Sequence, residues 1–171
     1  TAGAPFVFCH GIKSFTRSVR VDMLAPDIGF DTVEVLEDLV VGKKLAKGGF
    51  GIVYKGTLAG ETVAIKELTI KGEEADLTDK FKEFQHEVHI MSCLDHPNLV
   101  KFYGITLNPL RMVMEFVAHG DLYHMLQDKS LSDEDLPWCF RMKIALDIAK
   151  GMRHLQSITP PIIHRDLRSP N

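Results

Sequence analysis

The chain has 171 residues, 45% of them hydrophobic and 25% charged, a composition that can bury a core and excludes a disordered tail. Its net charge of −3 gives no electrostatic footing for nucleic acid or an anionic membrane. No apolar run reaches membrane-spanning length, Arg and Lys within residues 1–20 argue against a signal peptide, and Cys9, Cys93 and Cys139 are spaced as free thiols of a reducing, cytoplasmic setting.

Residues 1–36 mix Gly, Pro and Ser with short apolar pieces and read as a flanking extension. From Leu39 the pattern turns to short β-rich runs, Leu39–Leu45, Ile52–Leu58 and Thr62–Leu68, parted by turns at Lys47–Gly51 and Ala59–Glu61. That alternation predicts an antiparallel meander. Lys71–Asp79 is polar, with Thr78 or Asp79 as a candidate cap. Phe81, Phe84, Val88 and Met91 then recur at helical spacing, predicting a helix near Phe81–Cys93 that ends at His96-Pro97-Asn98. Strands are expected at Leu99–Ile105 and Arg111–Val117, with Asn108-Pro109 as the turn between them. Asp121 opens a short helix through Leu122, Met125 and Leu126. A longer helix near Leu136–Gln156 sets Phe140, Ile144, Ile148, Met152 and Leu155 on one side with Ala145 and Ala149 beside them, and Pro160-Pro161 stops it. The chain opens on Thr1 and stops at Asn171, straight after what has the look of a functional loop, so its C-terminus reads as a truncation.

Three segments carry chemistry. In Lys47-Gly48-Gly49-Phe50-Gly51-Ile52-Val53 the glycines lie between two strands. A dinucleotide fingerprint or a Walker loop needs a helix to follow, so neither fits. Such a hairpin can bring backbone N–H groups close to phosphate oxygens, or it can be an ordinary turn. In Val63-Ala64-Ile65-Lys66 the lysine could simply face solvent. With the glycine hairpin before it and Glu87 in the apolar-striped helix after it, Lys66 instead reads as a phosphate-side ammonium held by Glu87; Glu83 reads as solvated. The third segment, His164-Arg165-Asp166-Leu167-Arg168-Ser169-Pro170-Asn171, matches the pattern H-R-D-L-x-x-x-N at every fixed position. Here Asp166 would take the proton of a substrate hydroxyl and Asn171 would offer a carbonyl oxygen to Mg²⁺. His10, His86, His89, His119, His124 and His154 form no metal-ligand spacing and read as exposed.

Residues from about Leu39 to Asn171 resemble a eukaryotic protein kinase of the tyrosine-kinase-like group. Phe84–Val88, Met91-Ser92, His96-Pro97-Asn98, Arg111–Val117, Gly120–His124 and Asp166–Asn171 are similar to the Roco kinases of amoebae, in which a kinase follows a Ras-like GTPase and its dimerisation module. The resemblance implies an α+β, two-lobed kinase fold. Residues 37–118 would form a five-stranded antiparallel N-lobe sheet with one helix and the hinge, and 119–171 the start of a helical C-lobe. It implies transfer of the ATP γ-phosphoryl group to a protein hydroxyl, with a lean towards Ser/Thr, and a protein substrate with a possible Ras-like GTPase module as partners. Leu45, Ala46, Lys47, Gly48, Gly49, Phe50 and Gly51 would cover the nucleotide, with Val53 and Ala64 over the adenine ring. Met114 matches the gatekeeper, Glu115 and Val117 the hinge residues that bond adenine through their backbone, and Asp121 the acidic residue near the ribose. Met91, Phe102 and His164 match a hydrophobic spine, although plain core packing predicts the same burial for Met91 and Phe102. Arg165 resembles an arginine on which a phosphorylated activation loop docks.

Two departures stand beside these matches. The glycine pattern would place its first Gly where this chain has Ala46, and no Asp-Phe-Gly or Ala-Pro-Glu segment occurs in the 171 residues. Half of the expected metal site and most of the substrate platform are therefore missing, and the fragment alone is expected to be inactive. A pseudokinase or nucleotide-holding scaffold is the alternative, and a dinucleotide-binding enzyme a distant third. Arg168 stands where serine/threonine kinases usually carry Lys and some tyrosine kinases carry Arg.

Overall fold

The computed structural model describes residues 34–48, 51–68, 74–132 and 134–170. The β-branched and aromatic runs form β1 (Leu39–Gly48), β2 (Gly51–Leu58), β3 (Glu61–Glu67), β4 (Phe102–Leu107) and β5 (Leu110–Glu115). The helices are α1 (Glu74–Ser92), α2 (Leu122–Gln127) and α3 (Trp138–Ser157). No helix among the described residues is long and apolar enough to cross a membrane.

The strands make one five-stranded antiparallel sheet with α1 inserted after β3, as expected, and their order within it is β1-β2-β3-β5-β4. Several boundaries differ. The first strand runs on through Ala46 to Gly48, and β2 resumes at Gly51 in register with Gly48, so the glycine turn is shorter than expected. Gly51 has φ 118°, which a side chain would oppose. Helix α1 begins at Glu74, so Thr78 and Asp79 lie inside it and do not cap it. β4 starts at Phe102, after a turn at 97–98 and a lone bridge residue at Leu99, and β5 stops at Glu115.

Of the described residues, those in 34–94 and 101–116 form one compact unit, and those in 95–100 and 117–170 another. In the first, strand alternation sends side chains to opposite faces of the sheet. Val63, Ile65 and Val113 are fully buried on one face, packed by Leu39, Val41, Tyr54, Leu58 and Tyr103. The other face sets Leu68, Ile105, Leu110 and Met112 against Phe81, Phe84, Val88 and Met91 of α1. Full burial of such a side chain is worth about 1.5–3 kcal/mol, so α1 is fastened to the sheet by its apolar stripe. Residues 34–36, within the stretch read as a flanking extension, run along the outer edge of β4. The Leu36 N–H donates to the Ile105 carbonyl at 2.8 Å, and the Ile105 N–H to the Glu34 carbonyl at 3.0 Å. Gly104 allows this approach, since a Cβ there would run into the Glu34 carbonyl.

In the second unit α3 buries Ile144, Asp147, Gly151 and Leu155. The expected stripe is the covered side of the helix: Phe140, Ile148 and Met152 are half-buried beside buried Ile144 and Leu155, and Ala145 and Ala149 at its edge are exposed. Asp147 tolerates burial because Lys143 and Lys150 approach its two oxygens at 2.7 and 3.1 Å. Segment 95–100 lies on α3, where the His96 and His154 rings stack at 4.7 Å. After the helix, the Ile162 N–H donates to the Leu155 carbonyl at 2.9 Å and turns the chain towards residues 164–170.

Candidate active site

The sheet face that packs α1 carries the first group of expected residues. Lys66 pairs in register with Val53 on β2 and Met112 on β5, and Ala64 pairs with Met114. Directly paired residues share a face, so Val53, Ala64, Lys66 and Met114 stand side by side. Helix α1 covers the Met112 end of that face, whereas Val53, Ala64 and Met114 are only half-buried. Further along β1, Leu45 is 47% exposed, and Ala46 and Lys47 are exposed. Ala46 is in register with Val53. Gly49 and Phe50 lie outside the described residues.

Lys66 does not face solvent. Its Nζ lies 2.8 and 2.9 Å from the two carboxylate oxygens of Glu87 on α1. The side chains are 15% and 8% exposed, which makes the pair more buried than a surface ion pair. Glu87 sits beside Val88 on the core-facing edge of the helix, and Glu83 is exposed, both as the apolar stripe predicts. Arg111 and Glu67 also pair, at 2.8 Å, as register neighbours on β5 and β3. Lys66–Glu87 differs in tying a strand to a helix.

At the end of β5 the Glu115 N–H donates to the Lys101 carbonyl at 2.8 Å, and the Glu115 carboxylate accepts the Lys101 N–H at 3.2 Å. With its N–H given away, the Glu115 backbone keeps only its carbonyl to offer a ligand. Lys55 of β2 lies over the Phe116 ring, 4.8 Å from its centre. Met91 is buried, and Phe102 packs in the same core cluster.

The second unit carries the other group. The Val117 carbonyl accepts the Gly120 N–H at 3.2 Å. Asp121 caps α2, its Oδ1 accepting the His124 N–H at 2.8 Å, and the His124 ring adds Nδ1 contacts of 2.9 and 2.7 Å to Oδ1 and Oδ2. Burial pushes the Asp121 carboxyl up, yet the hydrogen bonds and charge of His124 hold it below the usual aspartate value. In residues 164–170, His164 is 7% exposed and its Nδ1 accepts the Asp166 N–H at 3.3 Å. Burial lowers the His164 pKa, with Asp166 opposing. Arg165 between them has φ 63°, a strained conformation for a residue with a side chain. Arg168 Nε lies 3.0 Å from Asp166 Oδ1. The loop is fastened to α2, whose Tyr123 N–H donates to the Ser169 carbonyl at 2.9 Å. Asn171 lies outside the described residues.

Sequence reasoning missed three of these partners. In the sequence Arg168 marks only the kinase group, His124 reads as an exposed histidine, which it is, and nothing points to the Glu115 side chain. The short spacings Asp166–Arg168 and Asp121–His124 were the available signals.

The family model described as protein tyrosine and serine/threonine kinase matches residues 39–171. Among curated proteins, the chain is 48% identical over 166 residues to "Probable serine/threonine-protein kinase roco11" of Dictyostelium discoideum, covering 93% of this chain and 11% of that protein. It is 42% identical over 196 residues to "Probable serine/threonine-protein kinase qkgA" of the same organism, covering 99% of this chain and 12% of that one. A third relative from that organism, "Cyclic GMP-binding protein C", is 37% identical over 92% of this chain and 7% of its own length. The chain therefore spans no more than 12% of the length of these three relatives. With the family model covering most of its residues, the chain belongs to the protein tyrosine and serine/threonine kinase family.

Proposed function

We propose that this chain carries the ATP site and catalytic loop of a serine/threonine protein kinase. The observation that carries the reading is the Lys66–Glu87 pair, an ammonium fixed by both carboxylate oxygens at 2.8 and 2.9 Å on the face shared with Val53 and Ala64. An ammonium held this way can meet phosphate oxygens without first having to be ordered. Val53 and Ala64 give the adenine an apolar surface beside Met114. The Glu115 carbonyl and the Val117 N–H are one acceptor and one donor, which matches the amino group and ring nitrogen of adenine. The hairpin Leu45, Ala46, Lys47, Gly48, Gly49, Phe50 and Gly51 would cover the phosphates, and Asp121 would accept a ribose hydroxyl.

In the transfer step Asp166 accepts the proton of a protein hydroxyl, the freed oxygen bonds to the γ-phosphorus, and the bond to the ADP oxygen breaks. Arg168 beside Asp166 holds the carboxylate in place as charge moves. The side-chain carbonyl of Asn171 is a hard oxygen donor of the kind Mg²⁺ takes. Bound Mg²⁺ supplies positive charge that offsets the charge of the phosphates. The sequence holds no Asp-Phe-Gly, so the 171 residues alone are expected to be inactive and tests belong to the full-length protein.

The serine/threonine assignment rests on the printed names of the relatives. The Roco name of one of them supports a Ras-like GTPase module as partner within the same protein. The free thiols of Cys93 and Cys139 support a reducing, cytoplasmic setting. The test is incubation of the full-length protein with γ-labelled ATP, Mg²⁺ and a general acceptor protein, followed by identification of the labelled residue. Label on Ser or Thr is expected; label on Tyr would overturn the assignment of group, and none would favour the scaffold alternative.

A further inference from the structure

Asp121 and His124 stand one turn apart at the start of α2, and they touch more than a cap requires. Capping needs one bond, from the His124 N–H to Asp121 Oδ1 at 2.8 Å. The imidazole adds Nδ1 contacts of 2.9 Å to Oδ1 and 2.7 Å to Oδ2. A ring nitrogen that meets a carboxylate must carry its proton, so Nδ1 is the donor. The ring is 78% exposed and the carboxylate 25%, so the contact adds little to stability. Its physical effect is on direction. A carboxylate held only by a cap bond to Oδ1 can still turn about its χ2 bond, whereas one that also meets the ring through both oxygens cannot. Oδ1 takes the backbone N–H and the longer ring contact, and Oδ2 takes the shorter ring contact alone, which leaves Oδ2 a second lone pair for another donor. The same turn is fastened to the catalytic loop by the Tyr123 N–H, which donates to the Ser169 carbonyl at 2.9 Å.

We propose that His124 is a positioning residue for nucleotide recognition, its ring holding the Asp121 carboxylate so that Oδ2 accepts a ribose hydroxyl. This rests on the ribose role of Asp121 proposed above. A neutral hydroxyl donating to a charged acceptor gains more than a neutral pair does. Losing the fixed direction returns that gain to water and leaves the adenine and phosphate contacts alone. His124 therefore acts on the discrimination between ribose and deoxyribose, and much less on transfer once nucleotide is bound.

The test measures equilibrium binding of ATP, 2′-deoxy-ATP and 3′-deoxy-ATP to the full-length protein by calorimetry. Wild type is compared with Asp121→Ala, His124→Ala and His124→Phe, the last keeping a ring without a donor. Wild type should prefer ATP to at least one deoxy analogue by about five- to tenfold, the size expected for one charge-assisted hydrogen bond. Asp121→Ala and both His124 variants should reduce that ratio towards one; the thermal midpoint should stay near wild type in the His124 variants, whereas Asp121→Ala also removes the α2 cap and should lower it. If both His124 variants keep the wild-type ratio, or lose affinity for all three nucleotides equally, the positioning role falls while the ribose role of Asp121 stands. If Asp121→Ala also keeps the ratio, the ribose role falls and this inference with it. Wild type that binds none of the three would remove the nucleotide site itself.

Discussion

The Lys66 ammonium on β3 reaches both carboxylate oxygens of Glu87 on α1, 2.8 and 2.9 Å away and 21 positions on in sequence. It is thus a polar tie between the sheet and its helix, set beside the apolar contacts of Phe84, Val88 and Met91 with the strands. Those apolar contacts fix where α1 lies, and the ion pair then fixes where the lysine points.

Lys66→Met keeps the aliphatic stem and deletes the charge. In the full-length protein it should lower phosphoryl transfer by about 10²–10³-fold, the usual effect of removing one preorganised donor. Because Glu87 is 8% exposed, its stranded carboxylate should also cost roughly 1–3 kcal/mol of stability. Adding Glu87→Gln to Lys66→Met should recover part of that stability without recovering transfer. Denaturant unfolding and labelled-ATP assays on the same preparations check both halves; a Lys66→Met protein with the wild-type transfer rate contradicts the role of Lys66.

Gly104→Ala puts a Cβ against the Glu34 carbonyl and near Leu36. Residues 34–36 must then move off the edge of β4, breaking the Leu36–Ile105 and Ile105–Glu34 hydrogen bonds. The expected cost is about 1–3 kcal/mol, read as a lower denaturant midpoint together with faster amide exchange at Ile105. Unchanged exchange there would mean that the edge contact does not form in solution.

Acid should destabilise the chain. His164 lies below its ordinary value through burial, and His96 through burial followed by the nearby His154, Arg153 and Lys150, with Asp95 opposing. The unfolded chain therefore binds protons that the folded one refuses. The stability due to these neutral histidines is present above the ordinary value of 6.5 and declines as pH falls below it. Thermal melts at about pH 7.5 and about pH 5.5 should show a lower midpoint in acid, and His96→Phe, which keeps the ring stack without a titrating group, should narrow the gap. A midpoint that rises on acidification contradicts this.

How much of this was legible in the sequence depends on the kind of contact. Val63, Ile65 and Val113 alternate with Ala64, Lys66 and Met112, and Phe81, Phe84, Val88 and Met91 repeat at helical spacing, so both packing faces could be read directly. Glu87 was legible for the same reason, being placed by the stripe around it. The first turns of α1 were not. Glu74-Ala75-Asp76-Leu77-Thr78-Asp79-Lys80 has few apolar residues to mark a face, and its Thr and Asp imitate a cap. The run of residues 34–36 on β4 rests on one parallel bridge, Val35 with Ile105, too short to produce alternation. Arg168 on Asp166 and the His124 ring on Asp121 come from side chains folding back over a loop and a helix start. Periodicity carries no record of such local bonds.

The most direct test of the central claim is Asp166→Asn in the full-length protein. Asparagine keeps the shape and loses the capacity to take a proton. With labelled ATP, Mg²⁺ and a general acceptor protein, transfer to Ser or Thr should fall by about 10²–10⁴-fold, while calorimetric ATP affinity stays near wild type. Transfer by Asp166→Asn at the wild-type rate would contradict the assignment of Asp166 as the base and the catalytic-loop reading built on it.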